Sequence, residues 1–275
     1  MNVTLGVNNL FSTLKGDDIK SVPNNMTFKE ITREDYIAIA LEYKSKNINN
    51  KVIYYFNKAL EVTVLTFGME NAKTANSYLS LAEAYLEDNS ISEALLCYSE
   101  ALQIRKNLFG TASLECSEIY SALGDIFFLE NNLEEALKYC LKSLEIRNNI
   151  LGEFHPLIAM SSHQLAYYYA SLTEYEKALP LFEKALEIRV ELYGSSHSLT
   201  ADSYTHLAMC HYHLFNHSEA SKYLSLALQI NKKIYVKNDR KILICQENLS
   251  EINKHLSQNK KDLLNTFFNF FRKKF

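Results

Sequence analysis

The stretch Ala178-Leu179-Pro180-Leu181-Phe182-Glu183-Lys184-Ala185-Leu186-Glu187-Ile188-Arg189, followed by Gly194, decides the fold because it is one copy of a repeated pattern. The glycine recurs every 42 residues, at Gly68, Gly110, Gly152 and Gly194. The Ala-Leu pair recurs in the same register at 59, 101, 185 and 227, with Ser143-Leu144 in the third copy. A fixed period of this length, unbroken by insertion or deletion, indicates an array of supersecondary units that bury their apolar faces on their neighbours.

Each period contains the apolar spacing of two helices. In residues 71–113, Leu81 and Tyr85 belong to an apolar series at helical spacing, which predicts one amphipathic helix that ends before position 88. The polar residues 88–90 offer N-cap side chains to a second helix, which Gly110 can end in a left-handed conformation. Small side chains are predicted where the two helices approach closely, at Ala82, Ala94 and Ala101.

The register predicts five helix pairs, over residues 30–66, 71–108, 113–150, 155–192 and 197–234. Residues 240–256 follow as a terminal capping helix, which such arrays need to cover their last apolar face. We expect residues 1–29 to form a flexible N-terminal arm, residues 30–256 the repeat array with its cap, and residues 257–275 a basic aromatic tail.

A resemblance to a known family rests on these motifs. Leu-Ala-x-x-Tyr followed by Ala, aromatic and Ala at set spacing resembles the tetratricopeptide repeat, and Ala-Leu-Glu-Ile-Arg with Gly152-Glu153-Phe154-His155-Pro156 is similar to the 42-residue repeats of kinesin light chains. The resemblance covers about residues 30–253. It implies an all-α, right-handed α-solenoid of about five antiparallel helix pairs with a C-terminal capping helix, in which the first helix of each pair lines a concave groove.

Composition and charge agree with a helical protein that stays inside the cell. Three prolines, seven glycines and 47% hydrophobic residues suit a nearly all-helical chain with a large core. No signal peptide or membrane span is evident, and five cysteines without a C-x-x-C motif favour reduced thiols, so we expect a cytoplasmic location. From Val236 onward, nine Lys or Arg residues face four acids, a charge of +5, which leaves −8 on residues 1–235 of a chain whose total is −3.

The resemblance also assigns candidate residues for the groove. They are found by aligning the repeats on the leucine of the Leu-Ala-x-x-Tyr motif, and most of them are acidic, polar or aromatic. The candidates are Asn76, Leu79, Glu83, Glu87, Glu118, Ser121, Asp125, Phe128, His163, Tyr167, Asp202, Met209 and Tyr212. This set lacks the Lys/Arg/Asn constellation of chaperone-binding relatives and the paired asparagines of kinesin light chains. The scaffold therefore carries over, and the family's cargo specificity does not.

The predicted function is that of a protein–protein interaction scaffold or adaptor. Carboxylates beside aromatic side chains favour a protein or peptide partner that is basic and partly apolar. The alternatives are groove acids that only keep the surface soluble, a regulator that changes its superhelix when it senses a peptide (as bacterial quorum-sensing helical-repeat regulators do), and a membrane-peripheral recruiter acting through its tail. The oligomeric state stays open.

Three interpretations compete for the tail, in which Lys260, Lys261, Arg272, Lys273 and Lys274 interleave with seven leucine and phenylalanine residues. It can cover the end of the solenoid, fold back into the acidic groove as an internal ligand, or make a weak contact with an anionic membrane surface through residues 260–275.

Catalytic, metal and nucleic-acid sites are not predicted. His206, Cys210 and His213 are spaced for one helix face, but the spacing supplies no strong fourth zinc ligand. No glycine-rich phosphate loop, G-x-S-x-G or H-E-x-x-H motif occurs, so we expect no enzyme activity and no cofactor. The net negative array disfavours nucleic acid as a partner.

Overall fold

A computed structural model describes residues 32–237 and 239–272 and divides the chain into two units, one ending at Gly68 and the other beginning at Met69. In the first unit, the described helices are α1 (Arg33–Ser45) and α2 (Asn49–Phe67). Those of the second unit are α3 (Ala72–Glu87), α4 (Ile91–Phe109), α5 (Leu114–Leu129), α6 (Leu133–Ile150), α7 (Pro156–Ser171), α8 (Tyr175–Tyr193), α9 (Ser198–His213), α10 (His217–Ile234) and α11 (Arg240–Arg272). The predicted arm, residues 1–29, lies outside the described residues.

The predicted all-α architecture of consecutive helix pairs is confirmed. The pair α1–α2 forms the first unit, in which the rings of Tyr43 and Tyr55 stack with centroids 5.5 Å apart. In the second unit, α3–α4, α5–α6, α7–α8 and α9–α10 pack as pairs, each pair also contacts the next, and α11 packs on α10. Each pair begins and ends within three residues of its predicted range.

The glycine that ends a period has positive φ as predicted, but it does not adopt the left-handed helical conformation. Gly110 follows α4 with φ 85° and ψ 164°, and Gly194 follows α8 with φ 83° and ψ 166°. This extended region with positive φ is open essentially only to glycine. In the third copy α6 ends one residue earlier, with Leu151 as its C-cap, and Gly152 lacks the positive φ.

The prediction of N-cap side chains at residues 88–90 is wrong for that helix. Ser90 precedes α4 without a side-chain capping bond, whereas Asn89 has a positive φ of 59° and turns the chain between the helices. Positive φ recurs at this register every 42 residues, at Asn47, Asn89, Asn131, Thr173 and Phe215. Side-chain caps instead start the first helices of the second unit, as at Ser113, whose hydroxyl accepts from the amide of Cys116.

Small side chains bring the helices of a pair together. Ala82, Ala94 and Ala101 are fully buried, as predicted. In α5 the position that corresponds to Ala82 is Gly124, where a Cβ would stand 3.3 Å from the carbonyl oxygen of Ala136, so α5 and α6 approach closely there. Apolar clusters then follow one another along the second unit; one joins Cys140, Leu165 and Ile188 across the three helices α6, α7 and α8.

Buried arginines connect successive pairs at Arg105, Arg147 and Arg189, one in each of the second, third and fourth repeats. Arg147, on α6, is 1% exposed and donates to the hydroxyl of Ser117 on α5 and to that of Ser161 on α7. Arg189 on α8 donates to Leu199 O and Ser203 Oγ of α9 at 3.2 and 2.7 Å. Each guanidinium thus ties its own helix to the first helix of the next pair.

The capping helix is present and longer than predicted. Ile242, Cys245 and Ile252 of α11 are buried, and Cys245 and Ile252 pack with Leu224 of α10. The helix continues to Arg272, so the proposed boundary at residue 257 falls within a continuous helix. Among the described residues, no helix is both long and apolar enough to cross a membrane.

Candidate functional site

The predicted site residues lie on successive first helices of the second unit, and side-chain contacts link these helices in order. We call this surface of α3, α5, α7 and α9 the first-helix face; it is defined by the thirteen candidate residues, beginning at Asn76 and ending at Tyr212. Most of these residues contact the neighbouring first helix, either directly or through a buried arginine. The candidates thus lie on connected first helices, although some of them, such as Ser121, are buried and make internal contacts.

At the α3 end, Arg105 organises two of the candidates. Its guanidinium donates to Asn76 Oδ1 on α3 at 3.2 Å and to Glu118 Oε2 on α5 at 2.9 Å, while also donating to the carbonyl oxygen of Glu115 at 2.6 Å. Glu118 is therefore paired, and its charge is largely compensated. Asn76 is exposed, but its amide oxygen already accepts the hydrogen bond from Arg105.

The other acids of α3, Glu83 and Glu87, are exposed, and Leu79 on the same helix is partly buried. Burial raises the pKa of the Tyr98 hydroxyl to about 12, and the negative charges of Glu83 and Asp125 contribute to this shift. Glu83 and Asp125 are both exposed, on the successive first helices α3 and α5.

A hydrogen-bond network fixes Asp125 between α5 and α7. The Asp125 Oδ1 atom accepts from Gln164 Nε2 and from the Tyr168 hydroxyl, both at 2.7 Å. Gln164 also accepts a bond of 2.8 Å from the hydroxyl of Ser121, which is buried and so does not face solvent. Burial and the neighbouring Asp125 carboxylate raise the pKa of Tyr168, so its hydroxyl stays protonated as a donor.

Aromatic rings lie beside this fixed carboxylate. The Phe128 ring stacks on Tyr168 with centroids 4.7 Å apart and lies 5.4 Å from the ring of Tyr167. Tyr167 is 43% exposed, whereas Tyr168 is buried. Asp125, Phe128 and Tyr167 thus combine a held carboxylate with apolar aromatic surface.

The His163 ring is half-buried and packs against side chains of two other helices. Its ring is 4.6 Å from His206 and 5.1 Å from Phe182, and its Nδ1 atom is 3.3 Å from Arg189 Nη1. Burial, followed by the charge of Arg189, lowers the pKa of His163 to about 3, and burial lowers that of His206. Both imidazoles are therefore neutral at pH 7.

At the α11 end, one more acid is paired and the last two candidates border a cavity. Lys241 Nζ contacts both oxygens of Asp202, at 2.7 and 3.0 Å. Met209 and Tyr212 line a cavity of about 280 Å³ between α9, α10 and α11. The Tyr212 hydroxyl donates to Glu251 Oε1 at 3.0 Å.

The histidine and cysteine positions on α9 do not converge. His206 Nδ1 bonds the carbonyl oxygen of Asp202, Cys210 is fully buried, and His213 stacks on Tyr175 with centroids 4.3 Å apart. Across residues 32–237 and 239–272, no group of three or more His, Cys, Asp or Glu side chains could hold a metal ion.

Sequence reasoning missed the residues that position the candidates: Arg105, Gln164, Tyr168, Arg189, Lys241 and Glu251. The 42-residue recurrence of arginine at 105, 147 and 189 was the available signal for Arg105 and Arg189. Gln164 and Tyr168 carry no such signal, because their partners depend on how one pair rotates against the next.

The sequence matches models of the tetratricopeptide repeat over residues 74–115, 115–189 and 161–233, which together span more than half of the chain. No curated protein matches the chain.

Solved structures share the fold at low identity. A putative kinesin light chain from Podosopora anserina with nearly identical TPR-like repeats is 19% identical, with a TM-score of 0.63, over 73% of this chain and 95% of that one. The apo form of RapI is 22% identical with a TM-score of 0.64, over 73% of this chain and 70% of its own. Aspartyl phosphate phosphatase F from Bacillus subtilis is 17% identical with a TM-score of 0.65; the match covers 88% of this chain and 60% of the phosphatase. At these identities the likeness concerns the fold alone.

Proposed function

The chain belongs to the tetratricopeptide repeat family, and from that premise we propose that it is an interaction scaffold whose first-helix face binds a basic, partly apolar peptide or helix. The tetratricopeptide repeat fold supports a protein–protein interaction scaffold. The observation that carries the finer proposal is the exposed Asp125 carboxylate, which is bonded to Tyr168 of the aromatic group that includes Phe128 and Tyr167, together with the exposed acids Glu83 and Glu87 on α3.

Charge supports a cationic partner. Of the five candidate acids, Glu118 is paired with Arg105 and Asp202 with Lys241. Glu83 and Asp125 form no salt bridge within residues 32–237 and 239–272, so their charges remain available to a ligand. Surface carboxylates of this kind accelerate encounter with a cationic partner, while the aromatic rings supply the apolar area that holds it.

Preorganisation supports a defined binding geometry. Asp125 is held by two hydrogen bonds from the next repeat, so its carboxylate loses little freedom when a ligand binds. A disordered partner would then carry most of the ordering cost.

The test uses defined probes with the full chain. A fluorescein-labelled peptide of four Leu-Lys-Lys-Leu units is titrated by fluorescence anisotropy, with the Leu-Glu-Glu-Leu and Leu-Gln-Gln-Leu counterparts as controls. We expect the lysine peptide to bind most tightly, and the variant Glu83→Lys/Glu87→Lys/Asp125→Lys to weaken it at least about tenfold.

A matched variant separates a local effect from the change in net charge. Glu134→Lys/Glu176→Lys/Glu183→Lys reverses three exposed acids on the second helices α6 and α8 and should leave the affinity within about twofold. Equal binding of the lysine and glutamate peptides, or equal losses in the two triple variants, would contradict the proposal.

The alternative functions predict different results in three further measurements. A peptide-sensing regulator would change its radius of gyration in small-angle scattering when the lysine peptide binds, whereas a rigid adaptor would not. A membrane recruiter would sediment with anionic vesicles and lose this property when residues 258–275 are deleted. An internal-ligand tail would instead give tighter lysine-peptide binding after the same deletion.

A further inference from the structure

The cavity between α9, α10 and α11 has an apolar floor and a polar rim. Ala208, Met209, Leu224 and Ile252 supply the apolar side chains, and Thr205, Asn248 and Glu251 supply polar ones. A volume of about 280 Å³ lies just below the range of pockets that hold drug-sized ligands. The space therefore suits one long side chain of a partner rather than a cofactor.

Glu251 offers this cavity an oriented negative charge. Its Oε1 atom accepts the Tyr212 hydroxyl at 3.0 Å, and that hydroxyl lies 3.3 Å from His255 Nε2. Within the described part of the chain, Glu251 Oε2 has no hydrogen-bond donor and Glu251 has no salt-bridge partner. One carboxylate oxygen is thus directed by the protein and left for a ligand.

Lys241 and the two histidines of the cavity lining are each engaged with partners other than that carboxylate. Lys241, the cation that packs on α9, is paired with Asp202. His206, which lines the cavity, is half-buried with Nδ1 against the carbonyl oxygen of Asp202, and desolvation lowers its pKa. His213, also in the lining, stacks on Tyr175.

We propose that this cavity receives one arginine side chain of a bound peptide, with its guanidinium between Glu251 and Asn248 and its aliphatic stem on Met209 and Leu224. This inference rests on the proposed function, since it assigns an anchor within the same binding surface. A guanidinium presents five donors in one plane, and it meets the Glu251 carboxylate, the Asn248 amide oxygen and the Tyr212 ring together.

Other occupants satisfy the lining less well. A wholly apolar side chain would fill the floor but cover Glu251 and Asn248 without giving them a partner, which is costly. An anionic group would meet the Glu251 carboxylate as a like charge. A lysine ammonium matches the charge but offers three donors at a single point, so it should bind more weakly than arginine.

The test uses the full chain labelled with [methyl-¹³C]methionine. Met209 lines the cavity, and its methyl signal is assigned by Met209→Leu. N-acetyl-arginine methylamide and its neutral isostere N-acetyl-citrulline methylamide are titrated in parallel. We expect the arginine compound to shift the Met209 signal with millimolar affinity and the citrulline compound to bind about tenfold more weakly or not at all.

Two variants locate the effect. Glu251→Gln keeps the shape of an exposed side chain and should remove the preference for arginine over citrulline. Glu247→Gln changes an exposed acid one turn away on α11 that does not line the cavity, and should preserve the preference. An unmoved Met209 signal, equal shifts from both compounds, or a preference that survives Glu251→Gln would overturn the proposal.

Failure of this inference and failure of the proposed function can be told apart. If the lysine peptide binds the first-helix face but neither compound moves Met209, the scaffold function stands and the arginine subsite is wrong. If N-acetyl-arginine methylamide shifts Met209 while no basic peptide binds, the cavity is an arginine site and the peptide-binding function is wrong.

Discussion

The hydroxyl of Tyr168 donates a hydrogen bond of 2.7 Å to the carboxylate of Asp125, although the two residues are 43 positions apart and belong to successive repeats. The bond crosses from α7 to α5 at the surface where the ligand is proposed to bind. It therefore serves two purposes: it stabilises the stacking of two repeats, and it holds a carboxylate in one orientation.

Replacing Tyr168 by phenylalanine should affect both purposes. Tyr168→Phe removes a buried hydroxyl and leaves Asp125 with fewer donors, so we expect the free energy of unfolding in urea to fall by about 1–2 kcal/mol. Tyr167→Phe is the control, because Tyr167 is exposed and its ring contacts do not involve the hydroxyl; it should cost less than about 0.5 kcal/mol. Equal stabilities of the two variants would show that the Asp125 bond contributes nothing.

A second prediction concerns the buried arginine of the third repeat. Arg147 donates to Ser117 and Ser161 on the two flanking first helices. A lysine ammonium keeps the positive charge but cannot donate to Ser117 and Ser161 at the same time. Arg147→Lys should therefore lower the free energy of unfolding by about 2 kcal/mol or more. Lys138→Met, which removes an exposed cation from the same helix, should change it by less than about 0.5 kcal/mol. An unchanged free energy of unfolding in Arg147→Lys would mean that a positive charge at this position is enough to stabilise the fold.

The third prediction is a pH dependence that originates at His163. The folded pKa is about 3 and the unfolded one about 6.5, so the unfolded chain takes up the proton first as the pH falls. Stability is fully present above pH 6.5 and decreases as the pH falls from 6.5 toward 3, by up to about 1.4 kcal/mol per pH unit. His163→Gln should flatten this part of the curve of unfolding free energy against pH. Parallel curves for the two proteins between pH 6.5 and 4 would refute the assignment.

The fourth prediction addresses the turn between α9 and α10. Phe215 has a φ of 61° and is 83% exposed, where three other repeats have asparagine. Asparagine tolerates positive φ better than phenylalanine, so Phe215→Asn should raise the free energy of unfolding by about 1 kcal/mol. Asn131→Phe, at the same register of the third repeat, is the inverse control and should lower it. A loss of stability in Phe215→Asn would indicate that the ring contact with His217 outweighs the backbone strain.

The 42-residue register was sufficient to predict the helix pairs, because it rests on local periodicity and on small side chains at fixed positions. Ala82 and Ala94 are buried where two helices meet, and Pro156 begins α7 at its first turn. Positive φ at Gly110 follows from the same kind of local argument. Family models and solved relatives agree with this part of the prediction.

The surroundings of the candidate site residues could be predicted less well from the sequence. His163 has the register of a groove residue, but the Phe182 and His206 rings and Arg189 enclose it. Whether a side chain at that position faces solvent depends on the size of residues on two other helices, which periodicity does not report. The pairing of Asp202 with Lys241 likewise depends on the course of α11.

The measurement that tests the central claim most directly is the location of a bound basic peptide on the full chain. The Leu-Lys-Lys-Leu probe with one leucine replaced by benzoylphenylalanine is photo-crosslinked at a concentration near its dissociation constant, and the adducts are mapped by mass spectrometry. The account predicts adducts on α3, α5, α7 and α9, near Leu79, Phe128, Tyr167 and Met209, and their loss in Glu83→Lys/Glu87→Lys/Asp125→Lys. Adducts confined to the second helices α4, α6, α8 and α10 would contradict it.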